Sequence, residues 1–169
     1  MELWDAYNRE GQRTGGTLVR GKPIPRGLYH LVCEVLVRHT DGDYLLMKRA
    51  ATKPAYPGYY EATAGGSALK GEDPLQCIRR ELMEETGLCC RQFTEVDRQV
   101  IDRDKAIFVS FVCTVDVDKQ SIRLQEGETE DFMWLGEEAF RAFLRSGKAI
   151  PTQVRRFSRY LLLEAEAGA

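Results

Sequence analysis

The chain has 169 residues, 43% of them apolar and 30% charged, enough to bury the core of one domain spanning 1–169 and too few for two full-sized ones. With 24 Lys and Arg against 26 Asp and Glu the net charge is -2, so the basic excess of a general nucleic-acid binder is missing. No apolar run approaches the roughly 20 residues of a membrane span, and the opening Met-Glu-Leu-Trp-Asp lacks the basic-then-apolar order of a secretion signal. A cytoplasmic protein without membrane or nucleic-acid partners is the expectation. The cysteines, Cys33, Cys77, Cys89, Cys90 and Cys113, are odd in number and show no C-x-x-C spacing. Reduced thiols, mostly in the core, fit better than a disulfide framework or a zinc site.

In chain order, Leu3 to Tyr7, a polar turn at Asn8-Arg9-Glu10-Gly11 and Thr17 to Arg20 read as a hairpin, an extension over residues 1–27 that ends in a loop with Pro23 and Pro25. Leu31 to Val37, a turn at Asp41-Gly42-Asp43 and Tyr44 to Lys48 predict a second hairpin with a largely buried first strand. Lys53 to Tyr60, with two prolines and three tyrosines, reads as a loop, and Glu61 to Ala64 as a short strand running into Gly65-Gly66. A helix is predicted after Asp73 as N-cap, with Pro74 at the first helical position, Gln76 completing a capping box and Gly87 closing the C-terminus. Its buried stripe is expected at Leu75, Ile78 and Leu82. Phe93 to Val100, Ala106 to Val117 and Phe132 to Leu135 follow as strands. Glu137 to Arg145 and Thr152 to Ala165 follow as helices split by Pro151. Mixed strands with few helices place the fold in the α/β or α+β class.

On the central helix Glu81, Glu84 and Glu85 stand at i, i+3 and i+4, which puts three carboxylates on one face with neighbouring Cβ atoms about 5–6 Å apart. Such a cluster repels itself unless a cation sits among it, and a hard divalent ion would hold the oxygens ionised as ligands. Three glutamates alone are also ordinary on a solvated helix face. The wider pattern decides between these readings: Gly66, Glu72, Arg80, Glu81, Leu82, Glu84, Glu85, Gly87 and Leu88 fill every fixed position of G-x5-E-x7-R-E-U-x-E-E-x-G-U, with U aliphatic.

Through these residues the segment 66–88 resembles the signature of the Nudix hydrolase superfamily. The resemblance implies a Nudix fold, a mixed sheet sandwiched between helices, that binds Mg²⁺ or Mn²⁺ and hydrolyses a diphosphate linkage in a nucleoside diphosphate-type or other small organic diphosphate. Carried over, Glu81 and Glu85 match metal ligands, Glu84 a ligand or water-positioning group, the Gly65 carbonyl a backbone ligand, and Glu72 a supporting group or the ligand of an extra ion. Arg80 would be structural, holding the glutamates, as would Gly66 and Gly87. The family also allows a homodimer.

Outside the signature, LLMKRAATKPAYPGYYEATAGG is similar to the branch that includes isopentenyl diphosphate isomerase, where Arg49 and Lys53 correspond to diphosphate-contacting cations; by residue type alone they equally suit a solvated basic turn. The isomerase's catalytic Cys has no counterpart in Ala62-Thr63-Ala64-Gly65-Gly66-Ser67, and the intact signature favours hydrolysis; His30 reads as a structural residue. Glu128, in the acidic run Gln125 to Asp131, offers a further ligand or the general base, or belongs to a solvated loop. Trp4, Tyr56, Tyr59 and Tyr60 are candidates for stacking a base or for packing. The alternatives to a hydrolase are an isomerase-like enzyme and a non-catalytic nucleotide-binding regulatory module.

Overall fold

A computed structural model describes residues 1–61 and 64–161. They form β1 (Leu3–Tyr7), β2 (Arg13–Val19), β3 (His30–His39), β4 (Tyr44–Arg49), β5 (Tyr60–Glu61), β6 (Ala64–Ser67), α1 (Pro74–Thr86), β7 (Thr94–Ile101), β8 (Ala106–Val115), β9 (Thr129–Leu135), α2 (Glu137–Arg145) and α3 (Pro151–Ser158). β1 and β2 make a separate antiparallel hairpin; the other seven strands form one mixed sheet.

β3 is the axis of that sheet. One of its edges runs parallel to β8 from His30↔Ala106 to His39↔Val115. The other edge is divided: Val32 to Val35 face β6, and Arg38 faces Tyr44 of β4. The expected β3–β4 hairpin is therefore paired only beside its turn, because β6 takes over the edge. β4 goes on to pair with β5 and β9.

The period of two along β3 separates two cores. Leu31, Cys33, Val35 and Val37 pack with Cys77, Ile78 and Leu82 of α1, whereas Leu36 packs with Phe140 and Leu144 of α2 and Phe157 of α3. A mixed sheet with helices on both faces results, and β3 reads as a continuous apolar run because neither face meets water. Each such side chain, fully buried, contributes about 1.5–3 kcal/mol of transfer free energy. Glu34 breaks the run. Both of its carboxylate oxygens accept from Arg156 of α3, and Ser110 of β8 donates at 2.7 Å, so the buried charge is matched.

α1 begins and ends where the sequence places it. Gln76 N–H donates to Asp73 at 2.8 Å, Asp73 N–H to the Gln76 side chain at 2.9 Å, and Gly87, at φ +73°, donates to the Met83 carbonyl at 2.9 Å. The expected stripe needs one correction. Leu75 is 39% exposed, because the buried arc is turned toward Cys77, Glu81 and Glu85 and leaves Leu75 at its margin in the first turn.

Other differences are local. β2 starts at Arg13 rather than Thr17, running through Gly15-Gly16, and β9 starts at Thr129, so the end of the acidic segment is strand paired to β4. β8 ends at Val115, and α3 begins at Pro151, its first helical residue. The single strand expected over Glu61 to Ala64 is two strands, flanking Ala62 and Thr63, which lie outside the described residues, as does the expected helix beyond Leu161. All five cysteines are free; Cys33, Cys77 and Cys113 are buried and Cys89 is exposed. No helix among the described residues is long and apolar enough to cross a membrane.

The hairpin is strapped to the loop ahead of α1. Lys70 N–H donates to Leu3 O at 2.8 Å, Gly71 N–H to the Asp5 carboxylate at 2.9 Å, and Arg13 Nη2 to Glu72 O at 2.5 Å. Trp4, Ala6 and Leu18 give it a small core of its own.

Candidate functional site

A cleft of about 310 Å³ opens where the hairpin, β6 and α1 meet. Glu81, Glu84 and Glu85 enter it from α1, Gly65 to Ser67 from β6, Lys53 and Glu128 from the loops after β4 and before β9, and Glu2 and Arg20 from the ends of the hairpin.

Glu81 and Glu85 belong to the inner face of α1 and are each only 8% exposed. The glycine pair makes room for them. A Cβ at Gly66 would lie 2.6 Å from Cδ of Glu81, and one at Gly65 would lie 2.5 Å from the Cys33 carbonyl oxygen, so neither position tolerates a side chain as the elements now pack. Gly65 N–H donates to Glu85 Oε2 at 3.2 Å.

The electrostatics separate the glutamates. Burial pushes Glu85 well above the usual carboxylate range, the charges of Glu61 and Glu81 push it further, and the Gly65 N–H opposes them. Burial also raises Glu81, against the pull of Arg80. Arg80 donates to Glu72 at 2.8 and 2.9 Å, to Glu81 at 2.7 Å, to Glu84 at 3.1 Å and to the Ser67 carbonyl at 3.1 Å, which raises its own pKa. Glu72 is held below its ordinary value, chiefly by Arg80; both its oxygens are engaged, one also by Leu69 N–H, and it does not line the cleft. That geometry makes Glu72 the anchor of Arg80.

The two expected phosphate cations part company. Lys53 lines the cleft, paired with Glu128. Arg49 does not: its Nη1 donates to both oxygens of Glu61 at 3.0 Å and its Nε to Ala55 O at 3.1 Å. Glu61, raised by burial, escaped the sequence reading although it precedes the glycine pair closely; its charge is one of those acting on Glu85. Glu2, Arg20 and Gln125, also in the cleft lining, carried no local signal.

None of the four aromatic candidates lines the cleft. Trp4 stacks on His30 with ring centroids 4.3 Å apart, Tyr56 and Tyr59 meet edge-on, and Tyr60 donates to Asp131 at 2.9 Å. His30, its pKa lowered by burial, lies 3.3 Å from Ser67 Oγ. Neither a Cys nor a His is among the lining residues, and Cys77 is fully buried.

Among the described residues no three Cys, His, Asp or Glu side chains stand close enough together, as placed, to hold an ion. Glu81 and Glu84 are turned onto Arg80. The donor chemistry nevertheless fits a hard divalent cation: Glu85 is buried without a cationic partner among the described residues, and four further carboxylates, those of Glu2, Glu81, Glu84 and Glu128, share its cleft.

The NUDIX domain family model matches residues 28–155. The chain belongs to the Nudix family. An uncharacterized Nudix hydrolase of Listeria monocytogenes is 32% identical over 151 residues, 89% of each chain. Among solved structures, DR0079 from Deinococcus radiodurans shares the fold with a TM-score of 0.73 at 18% identity over 94% of this chain and 99% of that one. The NUDIX domain of Shewanella oneidensis NrtR, complexed with ADP ribose, gives a TM-score of 0.55 at 14% identity over 68% of this chain and 77% of that one. The Nudix match leaves out the hairpin and stops one residue short of Arg156.

Proposed function

We propose that this Nudix chain is a divalent-metal-dependent hydrolase of the diphosphate linkage in small organic diphosphates, with Mg²⁺ or Mn²⁺ held by Glu81, Glu84 and Glu85 and by the Gly65 carbonyl. The observation that carries the reading is Glu85, 8% exposed, whose carboxylate has one hydrogen-bond partner among the described residues, the Gly65 N–H. A buried carboxylate without a cation is costly, and ionising it against Glu61 and Glu81 calls for positive charge in the cleft. A bound divalent ion supplies that charge, neutralises phosphate oxygens and acidifies water.

The chain's own groups supply the remainder. Arg80 fixes Glu81 and Glu84 in orientation, and Glu72, braced by Leu69 N–H, fixes Arg80. In this reading Glu84, half exposed and held through one oxygen, orients water and accepts its proton. Lys53 meets substrate phosphate in exchange for Glu128, which leaves Glu128 as a second carboxylate beside the reacting end. Isomerisation of an alkenyl diphosphate needs a proton added at one carbon and removed at another, and the cleft offers neither thiol nor imidazole for it.

The test is a panel of diphosphate compounds assayed for released phosphate or phosphomonoester with Mg²⁺, with Mn²⁺ and with chelator. Turnover that needs the metal and falls roughly 10²-fold or more in Glu85→Gln supports the reading. Metal-independent turnover, or a Glu85→Gln rate within a few-fold of the parent, refutes it.

A further inference from the structure

The hairpin lies outside the Nudix match, yet its two ends reach the cleft. Glu2 and Arg20 flank the last paired residues, Leu3↔Val19, and are joined by Arg20 N–H to Glu2 O at 3.0 Å. Arg20 Nη1 pairs with Glu2 Oε2 at 2.7 Å, and the other Glu2 oxygen accepts from Trp4 Nε1 at 2.7 Å. Trp4 is buried and stacked on His30. The guanidinium is thus fixed at one nitrogen, while its Nε and Nη2 have no hydrogen-bond partner among the described residues and its side chain stays 63% exposed.

The other cations of the cleft are engaged: Arg80 with three glutamates and a carbonyl, Lys53 with Glu128. Arg20 is the one that presents open donors on a preorganised stem, and a guanidinium edge suits two oxygens of one phosphate. Among the described residues the lining contains no aromatic ring, and Leu69 is its sole large apolar side chain. A base or alkyl group would meet no stacking platform there, whereas a phosphate end would meet a fixed cation.

Building on the proposed metal-dependent hydrolysis, we propose that Arg20 grips the terminal phosphate of a diphosphate monoester, so that this chain selects substrates by that exposed end and is nearly indifferent to the group at the other. Water oxygen then bonds to one phosphorus, the bridging oxygen leaves with the other, and the products are a phosphomonoester, orthophosphate and a proton. A doubly esterified diphosphate lacks the terminal group and loses this contact.

The experiment compares ADP, CDP, UDP and isopentenyl diphosphate with doubly esterified ADP-ribose, under Mg²⁺, in the parent chain, Arg20→Ala and Arg20→Lys. Binding of methylenediphosphonate with Mg²⁺ is measured in parallel by calorimetry. Expected are kcat/KM values within about 10-fold across the four monoesters and at least about 10-fold lower for ADP-ribose, a charge-assisted contact being worth roughly that factor or more. Arg20→Ala should raise KM for the monoesters about 10- to 100-fold with a smaller change in kcat, an effect that shrinks in high salt, and should weaken methylenediphosphonate. Arg20→Lys should recover part of both. A preference for ADP-ribose, a strong preference for one base, or equal methylenediphosphonate binding in the parent and Arg20→Ala overturns the proposal. Loss of that binding in Arg20→Ala without turnover of any compound would support the clamp and refute the hydrolase.

Discussion

Replacing Glu85 by Gln removes one charge from a buried carboxylate while keeping its shape and its acceptor for the Gly65 N–H. The parent carboxylate is 8% exposed, faces the charges of Glu61 and Glu81, and has no cationic partner among the described residues. Leaving a buried group this poorly compensated costs about 1–3 kcal/mol. For a chain of this length that corresponds to a melting temperature roughly 2–10 °C higher for Glu85→Gln in chelator at pH 8. The sign with pH follows from linkage. Because the folded pKa is raised, this group's contribution to stability is fully present below the ordinary carboxylate value and is lost as pH rises through the folded value. The gap between variant and parent should therefore widen from pH 5 to pH 8. Metal should close or invert it, since an ion at about 100 times its Kd stabilises the parent by roughly 2.7 kcal/mol and the variant by less. Scanning calorimetry with and without Mg²⁺ across that pH range reads all three effects. A variant that melts below the parent in chelator at pH 8, or gains as much from Mg²⁺ as the parent does, would sink the argument.

The glycine pair gives a contrast: Gly65→Ala, pressed against the Cys33 backbone, should lose about 1–3 kcal/mol in denaturant unfolding, whereas Gly66→Ala, pressed against the movable end of Glu81, should lose activity about 10-fold or more with a smaller cost in stability. Arg80→Lys cannot reproduce the fork that joins Glu72, Glu81 and Glu84 and should lower kcat about 10- to 100-fold in steady-state assays. Arg49→Ala should leave the half-buried Glu61 without its cation, with the Gln153 amide still donating at 3.3 Å, and destabilise the chain by about 1–3 kcal/mol on denaturant titration. Lys53→Ala should instead raise KM, by a factor that falls with added salt.

The helix of the signature was legible because its determinants are local: cap, proline, glutamate spacing and terminal glycine lie within fifteen residues and act on their own turns. Strand existence was legible for a similar reason, but partner choice was not. β3 meets β8 across more than seventy residues and shares its other edge between β4 and β6, an arrangement no hairpin signal encodes. The site divides along the same line. That Arg49 and Lys53 are cations close in sequence to the Nudix signature is visible in the chain, but only the sheet decides that Arg49 turns to Glu61 and Lys53 to the cleft. Leu75 was misplaced because periodicity gives the width of an apolar stripe more reliably than its phase, and here two glutamates occupy part of the buried arc.

The contacts of the hairpin and of α3 bear on where the folding unit ends. A truncation to residues 28–155 would preserve the whole signature, yet it would delete the straps that hold the loop over residues 70–72 and cut immediately before Arg156. The first loss frees the segment that carries Glu72, the anchor of Arg80. The second strands the Glu34 carboxylate on the central strand, with only Ser110 to satisfy it. Breaking a buried pair in this way costs about 3–5 kcal/mol, a large share of the 5–15 kcal/mol that keeps a domain folded. The shortest autonomous piece of this chain therefore extends past both borders of its family pattern, on one side to keep the loop that carries Glu72 in place and on the other to keep the sheet neutral.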